Sequence, residues 1–373
     1  MATRAQPPFR ADHVGSLLRP AAVLEARLAK TMERITDGEL RTVEDQAVSE
    51  LVRRQEEIGL LVATDGEIRR SSWHMDFISS LDGVSEVEGQ ITVAFRNAAG
   101  AIEFSPPAYA IDGPLGVSRT IFGEDFDFLA GSVRTATAKQ TIPSPSMVHF
   151  RGGRAALTYP RYLDVDAFWA DLAAAYRREI EGLYERGCRY LQLDDTSLAY
   201  LNDPAQREAI AARGGSALHQ HEEYINHIND VLRDRPEDLT VTIHLCRGNY
   251  RSSWAAEGSY EFVAEELFGR LEVDAFFLEF DDERSGGFAP LRFVPEDKLV
   301  VLGLVTTKGP ELESPDTLGR RIDEAARVVP LERLCLSPQC GFASTAEGNA
   351  LREEDQFAKL RLVVEVAAKV WGS

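Results

Sequence analysis

Two patterns of apolar residues alternate along the chain. Short runs that are apolar or β-branched at most positions end in polar residues, and longer segments with apolar residues at three- and four-residue intervals follow them. The first pattern predicts buried strands and the second predicts amphipathic helices. With the segment ADHVGS included, the predicted strands are ADHVGS (11–16), LLVATDGE (60–67), TIPSPSMVHF (141–150), YLQLDDTS (190–197), LTVTIHLCRG (239–248), DAFFLEFDD (274–282), KLVVLGLVTTK (298–308) and LCLSPQCGF (334–342).

The segments between these strands predict helices that cover the strands from outside. The clearest are VEDQAVSELVRRQEEIG (43–59), DVDAFWADLAAAYRREIEGLYERG (164–187), HQHEEYINHINDVLRD (219–234) and SPDTLGRRIDEAARVV (314–329). The last has Ser314 as its expected N-cap and Pro315 at its first helical position. Continuous apolar strands that alternate with such helices indicate a parallel sheet, and about eight units favour a closed (β/α)₈ TIM barrel of the α/β class over an open sheet.

One stretch departs from this alternation. Residues 84–118 alternate polar and apolar positions around the turn NAAG (97–100), which predicts a β-hairpin inserted after the second strand. That is the side of a barrel where covers of active sites lie. No linker or low-complexity tract divides the sequence, so we expect residues 1–373 to form a single TIM-barrel catalytic domain that carries this insertion.

The composition and the net charge indicate which kinds of binding partner the protein is expected to lack. Hydrophobic residues make up 44% and charged residues 27%, as in a soluble globular enzyme. The net charge of −19, without a Lys/Arg-rich run, argues against nucleic acid as a partner. The amino terminus has no apolar leader, and no segment approaches the roughly 18 apolar residues of a membrane helix, so we expect a cytoplasmic protein with no membrane partner.

Reactive side chains concentrate at the predicted strand ends, where the active site of a TIM barrel forms. His244 and Cys246 end the fifth strand two residues apart, so both point to one side of it. Glu279 ends the sixth strand inside an apolar run, and Cys340 follows the eighth. An imidazole, two thiolates and a carboxylate form a ligand set suited to Zn²⁺.

A less specific interpretation exists for each of these residues. A lone His-x-Cys pair is typical of a buried histidine beside a buried thiol. The joint placement of the residues at strand ends favours the zinc site. Four cysteines are too few for a disulfide scaffold, and we expect Cys188 and Cys335 to be core residues.

Six motifs in order resemble the catalytic barrel of the cobalamin-independent methionine synthases and their shorter single-barrel relatives. They are HVGS (13–16), TDGE (64–67), LQLDD (191–195), HLC (244–246), FLEF (277–280) and SPQCG (337–341). The resemblance implies that His244, Cys246, Glu279 and Cys340 ligate zinc, and that an incoming thiol displaces the carboxylate.

The same resemblance implies a site for homocysteine. Gly15 and Ser16 would bind its carboxylate, and Glu67 and Asp194 its ammonium group. Alternative roles are open, because Glu67 could pair with Arg69 or Arg70, and Asp194 or Asp195 could cap the next helix. His13, Trp73 and His74 are further candidates for lining the pocket.

The expected chemistry is alkylation of a thiol. A free thiol has a pKa of about 8.5, and zinc coordination removes its proton. Two protein thiolates and a carboxylate overcompensate the charge of the metal, which favours a nucleophilic substrate sulfur over water activation and hydrolysis.

The methyl donor is less well specified. Methyltetrahydrofolate has a poor leaving group that needs a general acid. The large methionine synthases have a histidine after the seventh strand, whereas this chain reads GLVTTKGPELESP and offers only Lys308 as a catalytic candidate. The donor is therefore methyltetrahydrofolate, a methyl group on a corrinoid protein or another activated methyl compound.

Three further hypotheses compete with homocysteine methylation. The zinc thiolate could attack a different electrophile, as in zinc-dependent relatives that open epoxides with another thiol. Four protein ligands could instead form a closed structural zinc site, although such ligands usually lie closer together in sequence. A metal-free decarboxylase on a related barrel would leave His244, Cys246, Glu279 and Cys340 unexplained.

Overall fold

The computed structural model describes residues 5–97 and 100–372. Its strands are β1 (Val62–Ala63), β2 (Asp82–Gln90), β3 (Val93–Asn97), β4 (Gly100–Phe104), β5 (Pro107–Gly116), β6 (Thr137–Ala138), β7 (Gln140–Pro143), β8 (Tyr190–Asp195), β9 (Thr240–Leu245), β10 (Ala275–Glu279), β11 (Leu299–Val305) and β12 (Leu334–Pro338).

Helices separate most of these strands. The α-helices are α1 (Ala21–Thr31), α2 (Asp37–Glu57), α3 (Met75–Ile78), α4 (Gly123–Ser132), α5 (Pro145–Gly152), α6 (Val165–Glu185), α7 (Ser197–Tyr200), α8 (Pro204–Ala212), α9 (Gln220–Leu232), α10 (Ala264–Arg270), α11 (Pro315–Ala325) and α12 (Glu353–Trp371). Short 3₁₀ turns lie at Arg154–Ala156, Pro160–Leu163, Tyr260–Phe262, Glu283–Ser285, Ala289–Phe293 and Leu331–Arg333.

The parallel strands follow one another around a barrel. β7 to β12 form a six-stranded sheet in sequence order, with every neighbouring pair parallel. β1 pairs in parallel with β6, which directly precedes β7. A parallel bridge between Ala11 and Leu336 brings the first predicted strand against β12. The predicted TIM barrel of the α/β class is therefore confirmed.

Of the eight predicted strands, the second is reduced to the two residues of β1 (Val62–Ala63), and the first and third are also shorter than their apolar runs. The first is a single bridge, held where the Asp12 amide donates to the Leu336 carbonyl at 3.0 Å. The run TIPSPSMVHF contains strand β7 and then helix α5, which begins at Pro145. A proline at the first position of a helix loses no helical hydrogen bond, so the second half of this run is free to be helical.

Helices of the predicted amphipathic type pack their apolar faces against the barrel. In α6, Phe168, Leu172 and Tyr176 recur every four residues and are all buried. α11 begins at Pro315 as expected, and Ser314 occupies the N-cap position without a capping hydrogen bond from its side chain. Among the described residues, no helix combines the length and the apolar character needed to span a membrane.

The insertion after the second barrel strand is antiparallel β-structure, as predicted. β2 pairs with β5, and β3 pairs with β4 between them. The central residues of the NAAG turn, 98 and 99, lie outside the described residues. Arg96 of β3 pairs with Trp254 through two backbone hydrogen bonds, which ties the insertion to the loop that follows β9.

Candidate metal centre

The strand ends that carry the predicted ligands surround one cavity. Among its lining residues are most of the predicted site residues together with several that the sequence did not indicate. The lining consists of Val14, Ser16, Glu67, Trp73, His74, Phe95, Phe104, Arg151, Asp194, Asp195, Thr196, Tyr200, His244, Cys246, Gly248, Asn249, Tyr250, Cys340, Gly341, Ser344 and Thr345.

Three of the predicted ligands form a compact group. One potential ligand atom from each of His244, Cys246 and Cys340 lies within 4.8 Å of the others, and all three side chains are buried. Neither ring nitrogen of His244 has a hydrogen-bond partner. A buried imidazole without partners is costly, and coordination of a metal ion would satisfy it. The residues present therefore fit a metal such as zinc.

The fold brings these three residues together from two strand ends. His244 lies in β9, opposite Phe277 of β10, and Cys246 follows one residue after the end of β9. Cys340 follows β12 by two residues. The next residue, Gly341, lies against Ser16 so closely that an added Cβ would overlap the serine hydroxyl. The glycine allows the loop that bears Cys340 to approach the first strand.

The two thiols have different electrostatic environments. A hydrogen bond from Cys246 and the nearby His244 lower the pKa of Cys340 well below its ordinary value. The contact with Cys340 and burial raise the pKa of Cys246. The pair therefore favours the thiolate on Cys340 over that on Cys246, and a divalent cation would stabilise both thiolates.

The carboxylate of Glu279, the fourth predicted ligand, contacts other partners. Its Oε2 accepts a hydrogen bond from the Arg247 amide at 2.7 Å, and its Oε1 accepts one from Arg284 at 2.6 Å. Burial opposes ionisation of Glu279, but Lys308, Arg284 and Arg247 together lower its pKa. Among the described residues, the compact group consists of His244, Cys246 and Cys340 without Glu279. The role of Glu279 as a metal ligand therefore stays a prediction.

Lys308, the candidate general acid, lies against this carboxylate. Its Nζ is 3.1 Å from Glu279 and 3.0 Å from Asp281. Burial alone would lower the pKa of Lys308, but the two carboxylates raise it above its ordinary value. A lysine in this position holds its proton tightly, and its role as a proton donor stays a prediction.

Glu67 lies in a strained turn beside the cavity. Its φ of +56° is in the left-handed region, which non-glycine residues rarely adopt. Its Oε1 accepts from the Thr141 hydroxyl at 2.8 Å and lies 3.4 Å from Arg70, so the pairing considered from the sequence is present. Burial raises the pKa of Glu67 although Arg70 and Arg19 oppose the shift. Its Oε2 is buried without a partner and is free to bind a cation.

Asp194 lies opposite His244 at the end of β8. Its Oδ1 accepts from Gln192 at 2.7 Å, and burial raises its pKa to about 7. The neighbouring Asp195 caps helix α7, because its Oδ1 accepts from the Leu198 amide at 2.8 Å. Helix capping therefore falls to Asp195, and the side chain of Asp194 faces the cavity.

The HVGS segment forms the edge of the cavity next to Glu67. Gly15 has a φ of +148°, and a Cβ there would lie 2.7 Å from Thr141, so only glycine fits without strain. The carbonyl of Gly15 accepts from the Thr64 hydroxyl at 2.6 Å. Ser16 lines the cavity, whereas His13 is buried and is not among the lining residues.

The opposite wall contains residues that the sequence did not single out. Phe95 and Phe104 come from the inserted hairpin and pack against Tyr250, with ring centroids 5.4 and 5.2 Å away. Trp73 and His74, two weaker candidates, do line this wall. The alternating pattern of residues 84–118 indicated a cover, but nothing in the sequence marked Arg151, Thr196 or Tyr200 as residues of the cavity.

Comparison with known proteins agrees with this geometry. Residues 9–369 match the family model described as the catalytic domain of cobalamin-independent synthase. The chain is 48% identical over 369 residues to YxjG of Bacillus subtilis, a protein described as uncharacterized, and this match covers 99% of the chain and 96% of the relative.

Two further similarities concern methionine synthases. A Listeria monocytogenes structure, provisionally assigned as a vitamin-B12-independent methionine synthase, superposes with a TM-score of 0.79 at 40% identity, covering 99% of this chain and all of that one. The 5-methyltetrahydropteroyltriglutamate–homocysteine methyltransferase of Bacillus licheniformis is 23% identical over 371 residues. That match covers 96% of this chain and 42% of the longer enzyme.

Proposed function

Because this chain belongs to the cobalamin-independent methionine synthase family of methyltransferases, we propose that it methylates the thiol of homocysteine in a zinc-dependent reaction that forms methionine. The single observation that best supports the proposal is the group of His244, Cys246 and Cys340 at the base of the cavity. We also propose that residues 1–373 act as one catalytic domain.

In this proposal His244, Cys246 and Cys340 hold the zinc ion. Bound zinc would keep the substrate thiol deprotonated and nucleophilic at neutral pH. Glu279 would be the fourth ligand in the absence of substrate and would yield its place to the thiol. The cations of Arg284 and Lys308 then stabilise its released carboxylate, at the distances of 2.6 and 3.1 Å seen here.

The amino-acid part of homocysteine lies along the Glu67 side of the cavity. Glu67 has one buried oxygen without a partner, and Asp194 lies opposite His244, so the two carboxyl groups bind the substrate ammonium. Gly15 and Ser16 bind its carboxylate. A substrate held at both ends keeps its sulfur next to the metal ligands, which increases the effective concentration of the nucleophile.

The methyl donor is methyltetrahydrofolate or another methyl compound. The folate-dependent enzyme from Bacillus licheniformis matches this chain over 42% of its own length. The zinc and homocysteine sites proposed above lie within the part that matches. If the donor has an amine leaving group, Lys308, which follows β11, is the candidate acid. With a donor that needs no protonation, Lys308 acts only as the partner of Glu279.

X-ray absorption at the zinc edge tests the metal half of the proposal. We expect zinc-loaded protein to show two sulfur neighbours, and a third after homocysteine is added. Cys246→Ser should remove one sulfur and lower the zinc content, whereas Cys188→Ser should leave both unchanged, because Cys188 is a buried thiol whose hydrogen bond goes to the Tyr190 carbonyl. A spectrum that does not change with homocysteine would indicate a closed structural site.

A second assay tests the reaction. Zinc-loaded protein is incubated with homocysteine and, separately, with methyltetrahydrofolate, methylcobalamin and methyl iodide, and methionine is quantified. We expect methionine above the rate without protein with at least one donor. Consumption of a different thiol by an epoxide, with no methionine from any donor, would favour the alternative of alkyl transfer to another thiol.

A further inference from the structure

Arg151 is a buried cation in the wall of the cavity that the protein does not neutralise. Its side chain is 8% exposed. Its Nε donates to His74 Nε2 at 3.2 Å, and one terminal nitrogen makes a long contact of 3.4 Å with the Thr196 hydroxyl. Within the described ranges, no carboxylate lies within 4.0 Å of its guanidinium.

Other buried arginines near the strand ends are satisfied by oxygen acceptors. Arg70 is 3.4 Å from the Glu67 carboxylate, and Arg284 is 2.6 Å from that of Glu279. Arg19 donates to four backbone carbonyls. Arg151 is different, although the chain has a net charge of −19 with many carboxylates available. A buried cation with so little compensation is costly unless a ligand supplies the anion.

The neighbours of Arg151 complete a site for an anion. Burial and Arg151 keep the pKa of His74 well below its ordinary value, so its ring is neutral and accepts the hydrogen bond without adding charge. The hydroxyl of Tyr200 is buried close to the Arg151 guanidinium, whose Cζ lies 5.9 Å from the tyrosine ring. An arginine and a tyrosine that line the same cavity form a pair suited to a carboxylate.

Aromatic rings adjoin this anion site. Trp73 packs against His74 in a tilted arrangement with ring centroids 4.4 Å apart. The His74 ring lies 6.4 Å from Phe104, and Phe104 lies 5.2 Å from Tyr250. The ligand that fits has an aromatic or apolar body and one carboxylate. The Glu67 side of the cavity, with Ser16 and Asp194, has the opposite character, because two carboxyl groups favour an ammonium.

We propose that Arg151, with Tyr200, binds a carboxylate of the methyl donor, and that this pair selects a donor with an aromatic or apolar body. The assignment to the donor rests on the proposed function, which places the amino-acid end of homocysteine at Glu67, Asp194 and Ser16. The existence of the anion site does not depend on turnover.

Binding of a small probe tests the site. Benzoate has the predicted carboxylate and aromatic body, and benzamide is its uncharged analogue. On zinc-loaded protein that is saturated with homocysteine, we expect benzoate to bind at least tenfold more tightly than benzamide. Arg151→Gln should reduce the benzoate affinity to that of benzamide, and Tyr200→Phe should weaken it several-fold. Arg154→Gln is the matched control, because this nearby arginine is exposed and donates to the Leu163 carbonyl.

Three results would overturn the proposal. Equal affinity of wild-type protein for benzoate and benzamide would exclude an anion site and needs no variant. Retention of the tenfold preference in Arg151→Gln would assign the site to other residues. Competition between benzoate and homocysteine would assign Arg151 to the acceptor. If the preference holds but no donor yields methionine, the proposed function fails while the anion site stands.

Discussion

Lys308 and Glu279 form a buried ion pair of 3.1 Å directly beside the group of potential metal ligands. The same lysine contacts Asp281 at 3.0 Å, and Arg284 reaches the same oxygen of Glu279. The Glu279 carboxylate therefore has a position stabilised by cations outside the three-residue group, and under the proposed function it would occupy this position when a thiol is bound. This relationship gives Lys308 a task that requires no proton transfer.

Replacement of Lys308 by methionine should weaken homocysteine binding about tenfold, the equivalent of roughly 1.4 kcal/mol. Without the lysine, the released Glu279 loses one of its two cationic partners and competes better with the thiol for the metal. Calorimetric titration of zinc-loaded protein measures this affinity, and Lys308→Arg is the control that keeps the charge. An unchanged affinity together with a large loss of turnover would instead identify Lys308 as the general acid.

Much of the fold could be predicted from the pattern of apolar residues in the sequence. The apolar runs around Phe277 and Val301 are buried on both faces, which is why continuous hydrophobicity predicted parallel barrel strands. Because such strands end at one rim, the positions of His244, Cys246 and Cys340 were sufficient to predict that they meet. Local pattern and topology agree in these elements.

Other features depend on contacts that no local pattern specifies. Arg151 lies in the last turn of α5, and its contacts with His74 and Thr196, which orient its side chain, come from distant parts of the sequence. In the sequence, Phe95 is one apolar position of a predicted hairpin. The pairing of Arg96 with Trp254 holds that hairpin over the strand ends, where Phe95 lines the cavity. The sequence therefore predicted the group of His244, Cys246 and Cys340 better than the opposite wall of the cavity.

Glu67→Gln separates recognition of the substrate ammonium from recognition of its thiol. The neutral amide loses a charge-assisted hydrogen bond, which typically contributes about 1.5–3 kcal/mol, so the affinity for homocysteine should fall roughly tenfold to a hundredfold. The affinity for 4-mercaptobutanoate, which has the thiol and the carboxylate without the amine, should not change. Equal losses for both ligands would show that Glu67 acts on the cavity through Arg70 and Thr141.

Gly341→Ala should disturb the approach of Cys340 to the first strand. The added methyl group would overlap the hydroxyl of Ser16 and come within 3.1 Å of its Cβ. We expect a loss of about 1–3 kcal/mol in the free energy of unfolding, as for overpacked sites, and weaker zinc binding. Gly319→Ala in α11 is the matched control, because nothing lies within 4 Å of its new Cβ, and it should stabilise the protein by about 1 kcal/mol. Urea unfolding measures both, and equal effects would contradict the packing argument.

His149, which lies outside the candidate site, should make the free energy of unfolding depend on pH. Burial, with Arg213, His227 and Arg154, lowers its pKa from 6.5 to about 4. Between these two values the unfolded chain binds a proton that the folded chain does not, so this residue contributes stability above pH 6.5 that is lost as the pH falls towards 4.

For one such proton, the free energy of unfolding changes by about 1.4 kcal/mol per pH unit. His149→Gln keeps a partner for the Tyr224 hydroxyl, which is 3.0 Å from His149 Nδ1, but removes the titrating group. The free energy of unfolding of this variant should therefore fall less steeply than that of the wild type between pH 6 and pH 4.5, by about this amount. Above about pH 8 the difference between the two proteins should be constant, because His149 then holds almost no proton in either the folded or the unfolded chain. Parallel curves across the acidic range would show that His149 is protonated in the folded protein as readily as in the unfolded chain.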